Sequence, residues 1–424
     1  MKSTQAAILN RDKVAAAQPS AGDWTWPTWS IPLFGLCLFT ISVVTVRVPL
    51  ADVGMLIGAA GLLLQRDKFR FPAPAAVLAV FILWAYATIA FSNYPTMALH
   101  FSNERLKLLV IFVVAVNALR TEAQIRFYIW FYLACFVLSP GRGSIQGYIG
   151  GNTIWGRLMW NYNYNNPNDM AALTLLATGF ALAVATSLRE KPIARKTAWG
   201  FVLMFTIIIA LTQSRGAVLG AALGFGPALF RTFLKKGSTV FYAVATVAVL
   251  IVFVPDSAWQ RFGDMKNLTN SATLAEADPE GSAENRLEIK KAAIQLFLER
   301  PITGSGVGTY SKTMGHEFPV LGPKDTHDTY LNLAAELGLP GLLLWCTMTY
   351  MVLARARRSR LAAAAANPPV TQIWIERAAV SFLVCGFFGT YSGITYIYLY
   401  FGVLWALGTL HEPPDSIANR GWHA

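Results

Sequence analysis

Charge is scarce in this chain. Only 14% of its 424 residues are Asp, Glu, Lys or Arg, against roughly 25% in soluble globular proteins, and 54% are apolar. That balance excludes an ordinary soluble domain. A mean hydropathy of +0.44, with long apolar runs recurring to the end of the sequence, points to a polytopic membrane protein. Cysteine is scarce as well. Cys37, Cys135, Cys346 and Cys385 all fall inside apolar runs, so they read as small buried hydrophobes, with neither a disulfide framework nor metal-ligand spacing. Ionisable residues are nearly missing from the apolar runs themselves: Arg47, Asp52, Arg215, Glu336 and Glu376 stand near span ends. An ion-coupled transporter usually needs ionisable or unwound sites near the midplane and shows internal duplication. No duplication is visible here, although a transporter of about 12 spans stays open as the competitor from another class.

The apolar runs predict an all-α polytopic membrane protein with about 12 transmembrane helices, near 29–49, 48–64, 73–92, 106–119, 124–139, 169–187, 197–213, 215–234, 238–255, 329–354, 375–393 and 394–410. The polar residues 1–28 lack a short apolar core followed by a cleavage site, so they read as a retained cytoplasmic tail, and 411–424 as a second. The net charge of +12 would suggest nucleic acid in a soluble chain; here it fits membrane topogenesis. Arg66, Lys68 and Arg70, then Arg189, Lys191, Arg195 and Lys196, then Arg355, Arg357, Arg358 and Arg360 all fall on one face if both tails are cytoplasmic. This topology leaves two sizeable loops on the opposite face, 140–168 and 256–328. The first, rich in Gly, Asn and aromatics, reads as an irregular surface loop with Asp169 capping the next helix. The second is the longest polar segment of the chain. Its early part is acidic; a helix follows over 282–300, carrying Ile289, Ala293, Leu296 and Phe297 on one stripe and stopped by Pro301. Such an amphipathic helix rests on the membrane surface or on the bundle, and Gly304–Gly308 reads as a flexible turn after it.

Chemistry-bearing residues collect on that second face. Arg215, in Thr212-Gln213-Ser214-Arg215-Gly216, occupies a turn of only a few residues between two spans, where a guanidinium can fork onto phosphate oxygens at headgroup depth. A snorkelling arginine that merely contacts lipid phosphate explains the same position. Arg286 stands near the start of the surface helix, and Arg47, Arg142 and Arg157 lie on the same side. Of the five histidines, His327 is fixed just before a span and flanked by Asp325 and Asp328. An imidazole titrating near ~6.5 is a competent base near neutral pH, and a neighbouring carboxylate orients it. His316 sits in a glycine-flanked loop, and the spacing of His316, Glu317, Asp325, His327 and Asp328 matches no familiar metal-ligand pattern.

In order along the chain, Ser214-Arg215-Gly216, Asn285-Arg286, Leu298-Glu299-Arg300-Pro301 through Gly308, His327-Asp328-Thr329-Tyr330-Leu331 and Ala335-Glu336-Leu337-Gly338-Leu339-Pro340-Gly341 resemble the O-antigen ligase and O-antigen polymerase superfamily. One departure is Asp328, where the resemblance leads one to expect Asn; whether position 328 orients the base or binds sugar stays open. The resemblance implies a GT-C-like architecture with a large, partly helical periplasmic loop, in the inner membrane of a Gram-negative bacterium, with the active site facing the periplasm. It implies an O-antigen ligase that moves polysaccharide from an undecaprenyl-pyrophosphate-linked donor to a sugar hydroxyl of lipid A–core, with inversion and with neither metal nor other cofactor. His327 is the implied catalytic base. Arg215 and Arg286 are implied to hold the pyrophosphate, and Arg142, Arg157, Arg47 and Asp328 are possible further substrate contacts. Membrane lipids are expected partners; nucleotides and nucleic acid are not. A polymerase that uses a lipid-linked repeat as acceptor would employ the same residues, so ligase and polymerase both stay open, and oligomeric state is not legible.

Overall fold

The computed structural model describes residues 26–46, 49–161, 164–187, 190–235, 282–363 and 370–410. Arg47, the expected ninth span at 238–255, the loop up to Gly281, residues 1–25 and residues 411–424 lie outside the described residues. What is described is all helical, apart from one isolated bridge between Ile154 and Arg157. The helices are α1 (Ile31–Thr45), α2 (Ala51–Leu64), α3 (Ala73–Ala87), α4 (Pro95–Ala118), α5 (Glu122–Phe136), α6 (Arg142–Ile149), α7 (Pro167–Ala185), α8 (Pro192–Leu211), α9 (Arg215–Lys235), α10 (Ser282–Glu299), α11 (Tyr310–Glu317), α12 (Thr329–Ala363), α13 (Val370–Cys385) and α14 (Thr395–Leu410).

Four described helices are long and apolar enough to cross a bilayer: Ala73–Phe91, Pro167–Ala185, Pro192–Leu211 and Thr329–Ala362. Helices α1, α2 and α14 are apolar but shorter. At 1.5 Å per residue, the 15 residues of α1 reach roughly 22 Å, short of a hydrocarbon core of roughly 30 Å. The count of twelve therefore stays a reading of the sequence. Helix α7 is buried over almost every residue, as an all-round apolar helix must be when it stands at the centre of a bundle; α8 and α13 pack against it. Helix α8 is mostly unburied and carries exposed Ile193 and Leu203, the composition of a lipid-facing helix.

Small residues set the closest contacts. Gly216, Gly220 and Gly224 recur every fourth residue along α9, and a Cβ at Gly220 would lie 2.6 Å from the Ser381 carbonyl of α13. The stripe brings α9 and α13 together backbone to backbone, as small-xxx-small spacing does in membranes.

The segment expected as an irregular loop is partly helical. Helix α5 continues through a π-helical turn, Val137–Gly141, into α6. The π turn accommodates Pro140, which has no N–H to donate, so the helix is not broken there. Asp169 does not cap α7 either: the Asn166 side chain accepts from the Asn168 N–H, and Asp169 sits in the first turn.

Helix α12 is broken at Gly338, whose φ of 66° and ψ of −173° are non-helical. Pro340 has no N–H for the Glu336 carbonyl, and the break frees neighbouring groups too. Four of these groups are met from outside the helix. Ser305 N–H donates to Ala335 O (2.9 Å), Gly306 N–H to Glu336 O (2.8 Å), Trp84 Nε1 to Leu337 O (2.8 Å), and Leu339 N–H to Pro301 O (2.8 Å). The Glu336 side chain accepts the Tyr310 N–H (3.2 Å). The glycine-rich turn expected to be flexible is thus stitched to the break. Its glycines are needed for close approach: a Cβ at Gly304 would strike the Glu336 backbone, and one at Gly308 the Phe101 ring.

Candidate active site

Helices α10 and α11 and the first segment of α12 form a small apolar cluster apart from the main core, built from Ile289, Ala292, Ala293, Leu296, Tyr310, Met314 and Ala335. The amphipathic helix therefore rests on the bundle, through its expected stripe plus Ala292; Phe297 is only half-buried. This platform presents Arg286 and Lys290, four residues apart on one face of α10, to the residues just before α12.

His327 ends the approach to α12 in a left-handed backbone conformation, φ 49°, which costs a non-glycine residue about 1–3 kcal/mol and persists only where neighbours enforce it. They do so from two directions. On one side Thr329 N–H donates to Gly386 O (2.7 Å), the Thr329 hydroxyl to Gly389 O (2.7 Å), and Tyr391 N–H to Thr329 Oγ1 (2.9 Å). The connection between α13 and α14 thereby wraps the start of α12. On the other side Asp328, buried, divides its carboxylate. Oδ1 accepts Tyr330 N–H (3.0 Å) and Leu331 N–H (3.1 Å), an N-cap for α12, while Oδ2 takes Lys290 Nζ at 2.8 Å. Lys290 also donates to Phe387 O (3.0 Å), closing a clamp across the three elements. Both oxygens of Asp328 are engaged within the protein, in capping and in the ion pair.

The His327 ring is half-buried, with Nδ1 3.7 Å from Asp325 Oδ2. Asp325 is itself held by the Thr390 hydroxyl (2.9 Å). Burial pushes the imidazole below its usual titration range; Asp325 opposes this, and the charges of Arg286 and Lys290 add to it. The result is a neutral ring at neutral pH, able to accept a proton, with the Arg286 cation nearby and Lys290 paired with Asp328. Asp169 extends the group, since its carboxylate lies beside the Tyr391 hydroxyl and within electrostatic range of Asp325.

Arg215 is the first residue of α9, behind Ser214, whose Oγ accepts the Ala217 N–H (3.3 Å). The next residue, Gly216, packs against Phe388, a Cβ there falling 2.9 Å from that ring. The same short connection thus touches Lys290 through Phe387 and the start of α9 through Phe388. A helix N-terminus with an arginine on it favours anions twice over. Arg157 is buried; its Nε donates to Thr212 O (2.8 Å) and its Nη2 to Asn168 Oδ1 (2.9 Å), tying the 154–168 segment to the turn that carries Arg215. Arg142 is exposed on α6. His316 is exposed beside Glu317, and among the described residues no three His, Cys, Asp or Glu side chains are grouped to hold a metal ion.

Sequence reasoning missed Lys290, Thr390 and Tyr391. Lys290 was readable as the residue one helical turn beyond Arg286. Thr390 and Tyr391 were hidden by placing a span over 375–393; α13 ends at Cys385, and residues 386–394 form the connection under His327.

Residues 199–346 match a family model described as O-antigen ligase. The matched window runs from α8 into α12 and contains Arg215, Arg286, Lys290, His327 and Asp328. No curated protein matches the chain.

Proposed function

From the match of residues 199–346 to the O-antigen ligase family model, we propose that the chain joins O-antigen polysaccharide, carried on undecaprenyl pyrophosphate, to a sugar hydroxyl of lipid A–core at the periplasmic face of the inner membrane. The observation that carries the reading is His327, a neutral imidazole in an enforced backbone conformation, facing Asp325 and flanked by Arg286 and Lys290.

In this mechanism Arg286 and Arg215 receive the pyrophosphate, and their charge stabilises the leaving group as the C1–O bond breaks. The acceptor oxygen attacks C1 from the opposite face, forming the new glycosidic bond with inversion. His327 takes the hydroxyl proton on Nε2, since Nδ1 faces Asp325. The products are glycosylated lipid A–core and undecaprenyl pyrophosphate. Two guanidiniums neutralise a pyrophosphate without a divalent cation, which makes transfer metal-independent. Arg142 on its exposed helix widens the positive rim; Arg157 acts by holding the Arg215 turn, and Arg47 is a further rim candidate.

Reconstitution in EDTA with a lipid-pyrophosphate glycan donor tests this directly, offering lipid A–core and a second donor molecule separately. Transfer to lipid A–core supports the ligase. Transfer only to the second donor makes the same residues a polymerase, and absence of transfer to either rejects glycan transfer altogether.

A further inference from the structure

A second site lies at the opposite end of the bundle. A cavity of about 820 Å³ is lined by Arg355, Arg357, Arg358 and Arg360 of α12 and by Arg377 of α13, with Glu376 as the one carboxylate among them. From Pro340 to Arg357 the unbroken part of α12 covers roughly 25 Å at 1.5 Å per residue, most of a hydrocarbon core of roughly 30 Å, and the first segment of α12, with His327 before it, lies beyond the break. The cavity and His327 therefore sit at opposite headgroup depths.

The arginines are not equivalent. Arg360 is fixed by Glu376, with Nε 3.0 Å from each carboxylate oxygen. Arg355 lies over the Trp405 ring at 4.2 Å and reaches Thr409 Oγ1 (3.3 Å). Glu376 thus takes its hydrogen bonds from Arg360 while its single charge faces several arginines. Arg357 and Arg358 are exposed, and Arg377 Nε is buried with no hydrogen-bond partner among the described residues. Arg360, Arg231 and Arg357 all stand within electrostatic range of Arg377, with the Glu376 carboxylate opposing them. A convergence of like charges around an unmet buried donor is expensive unless an anion completes it, and a guanidinium fork matches phosphate oxygens. The rest of the lining is apolar, through Tyr350, Met351 and Val380, and Tyr350 is 71% exposed. A soluble anion would leave that wall uncovered; an amphiphile with a phosphate head covers both halves.

We propose that this cavity binds an anionic phospholipid of the leaflet facing away from the active site, its phosphate held by Arg357, Arg358 and Arg377 and its acyl chains lying along Tyr350 and Val380. The site is independent of the transfer reaction and needs none of its residues.

The full-length protein, purified and delipidated in detergent, is titrated with phosphatidylglycerol, phosphatidylcholine and glycerol 3-phosphate, following the thermal midpoint and lipid retention by native mass spectrometry. Phosphatidylglycerol should raise the midpoint and stay bound where phosphatidylcholine does not. Arg357→Gln/Arg358→Gln, which leaves the half-buried Arg377 in place and so protects folding, should weaken phosphatidylglycerol by about 30-fold, taking about 1 kcal/mol per headgroup-depth cation. Adding Arg377→Gln should remove the effect. Lys191→Gln/Lys196→Gln, which removes equal charge elsewhere, should keep it. A matching arginine-dependent response to glycerol 3-phosphate alone would retain the phosphate site but assign it to a soluble ligand. Equal stabilisation by phosphatidylcholine, or an undiminished response in the Arg357/Arg358 variant, overturns the proposal.

Discussion

Replacing Lys290 by Met should expose how His327, the proposed base, is held. The ammonium is 2.8 Å from Asp328 Oδ2 and 3.0 Å from Phe387 O, and the Asp328 side chain is 6% exposed against 32% for Lys290. Lys290→Met leaves a carboxylate buried without its cation. A hydrogen bond to a charged group contributes about 1.5–3 kcal/mol, reduced here to about 1–2 kcal/mol because water already screens the lysine. Asp328→Asn behaves differently. Asn caps a helix about as well as Asp, so the bonds from Tyr330 and Leu331 survive and only the charge goes, leaving a lysine that can turn to solvent. The double variant Lys290→Met/Asp328→Asn removes both charges with the cap intact and should return close to the wild type. The cycle should therefore show a coupling of about 1–2 kcal/mol, read in the thermal midpoint and as a 5- to 30-fold interaction in transfer rate. Transfer is measured in proteoliposomes with a lipid-pyrophosphate glycan donor and lipid A–core. Additive single effects would refute the clamp. A double variant that regains stability but not transfer would make Lys290 a ligand of the donor instead.

Asp325→Asn removes the one charge that raises the His327 titration. In the proposed mechanism activity requires the neutral ring and so rises with pH through that titration; the acid limb of kcat/KM should move to lower pH, and a limb that stays put or moves up contradicts the pairing. His327→Ala should lower transfer by about 10²- to 10⁴-fold, the usual reach of a general base, with the thermal midpoint kept. His327→Gly, which suits φ 49°, should lose the same activity while unfolding no earlier than the wild type; wild-type transfer in either variant removes the base from the scheme. Gly338→Ala puts a Cβ 2.8 Å from Pro301 O and against Ile302 O at φ 66°, and should lower stability by about 1–3 kcal/mol, seen as an earlier thermal transition; an unchanged midpoint would show that the break tolerates a side chain.

How far the sequence speaks depends on the range of the signal. The all-helical class was legible because apolar runs are local and repeated. Helix α10 was legible from its own periodicity, with Ile289, Ala293 and Leu296 buried as their spacing requires. Ser214, Arg215, Arg286 and His327 stood out through short motifs. What failed was anything decided by a partner distant in the chain. Gly304–Gly308 has the composition of a mobile turn, and only the carbonyls freed by Gly338 and Pro340, about 30 residues later, convert it into a fixed one. Asp328 stays open in the sequence between orienting the base and binding sugar, and its cap on α12 and its ion pair with Lys290 could not be read from the motif alone. Thr390 and Tyr391 looked like part of a span because neighbouring residues on both sides are apolar. Hydropathy averages over about 19 residues, and a nine-residue connection rich in glycines and aromatics, with two aliphatic hydroxyl residues and no charge, does not register in that window.

The arrangement around His327 also fixes what cannot be separated. Helices α10 and α11 bury their apolar residues together with Ala335 and Leu331, which belong to α12. The turn between them takes its hydrogen-bond partners from Ala335 and Glu336, and the carboxylate of Glu336 answers Tyr310 from within the electrostatic range of Arg105 on α4. His327 owes its backbone conformation to residues 386–391, and the same connection seats the start of α9 with Arg215. A polar segment excised at 282–328 would keep Arg286 and His327 in its sequence, yet would lose the cap, the clamp and the completed apolar cluster that orient them. Chemistry at this site is therefore a property of the joined elements. The break in α12 makes the joining possible, because an unbroken helix would have satisfied its own carbonyls and left the turn with nothing to hold.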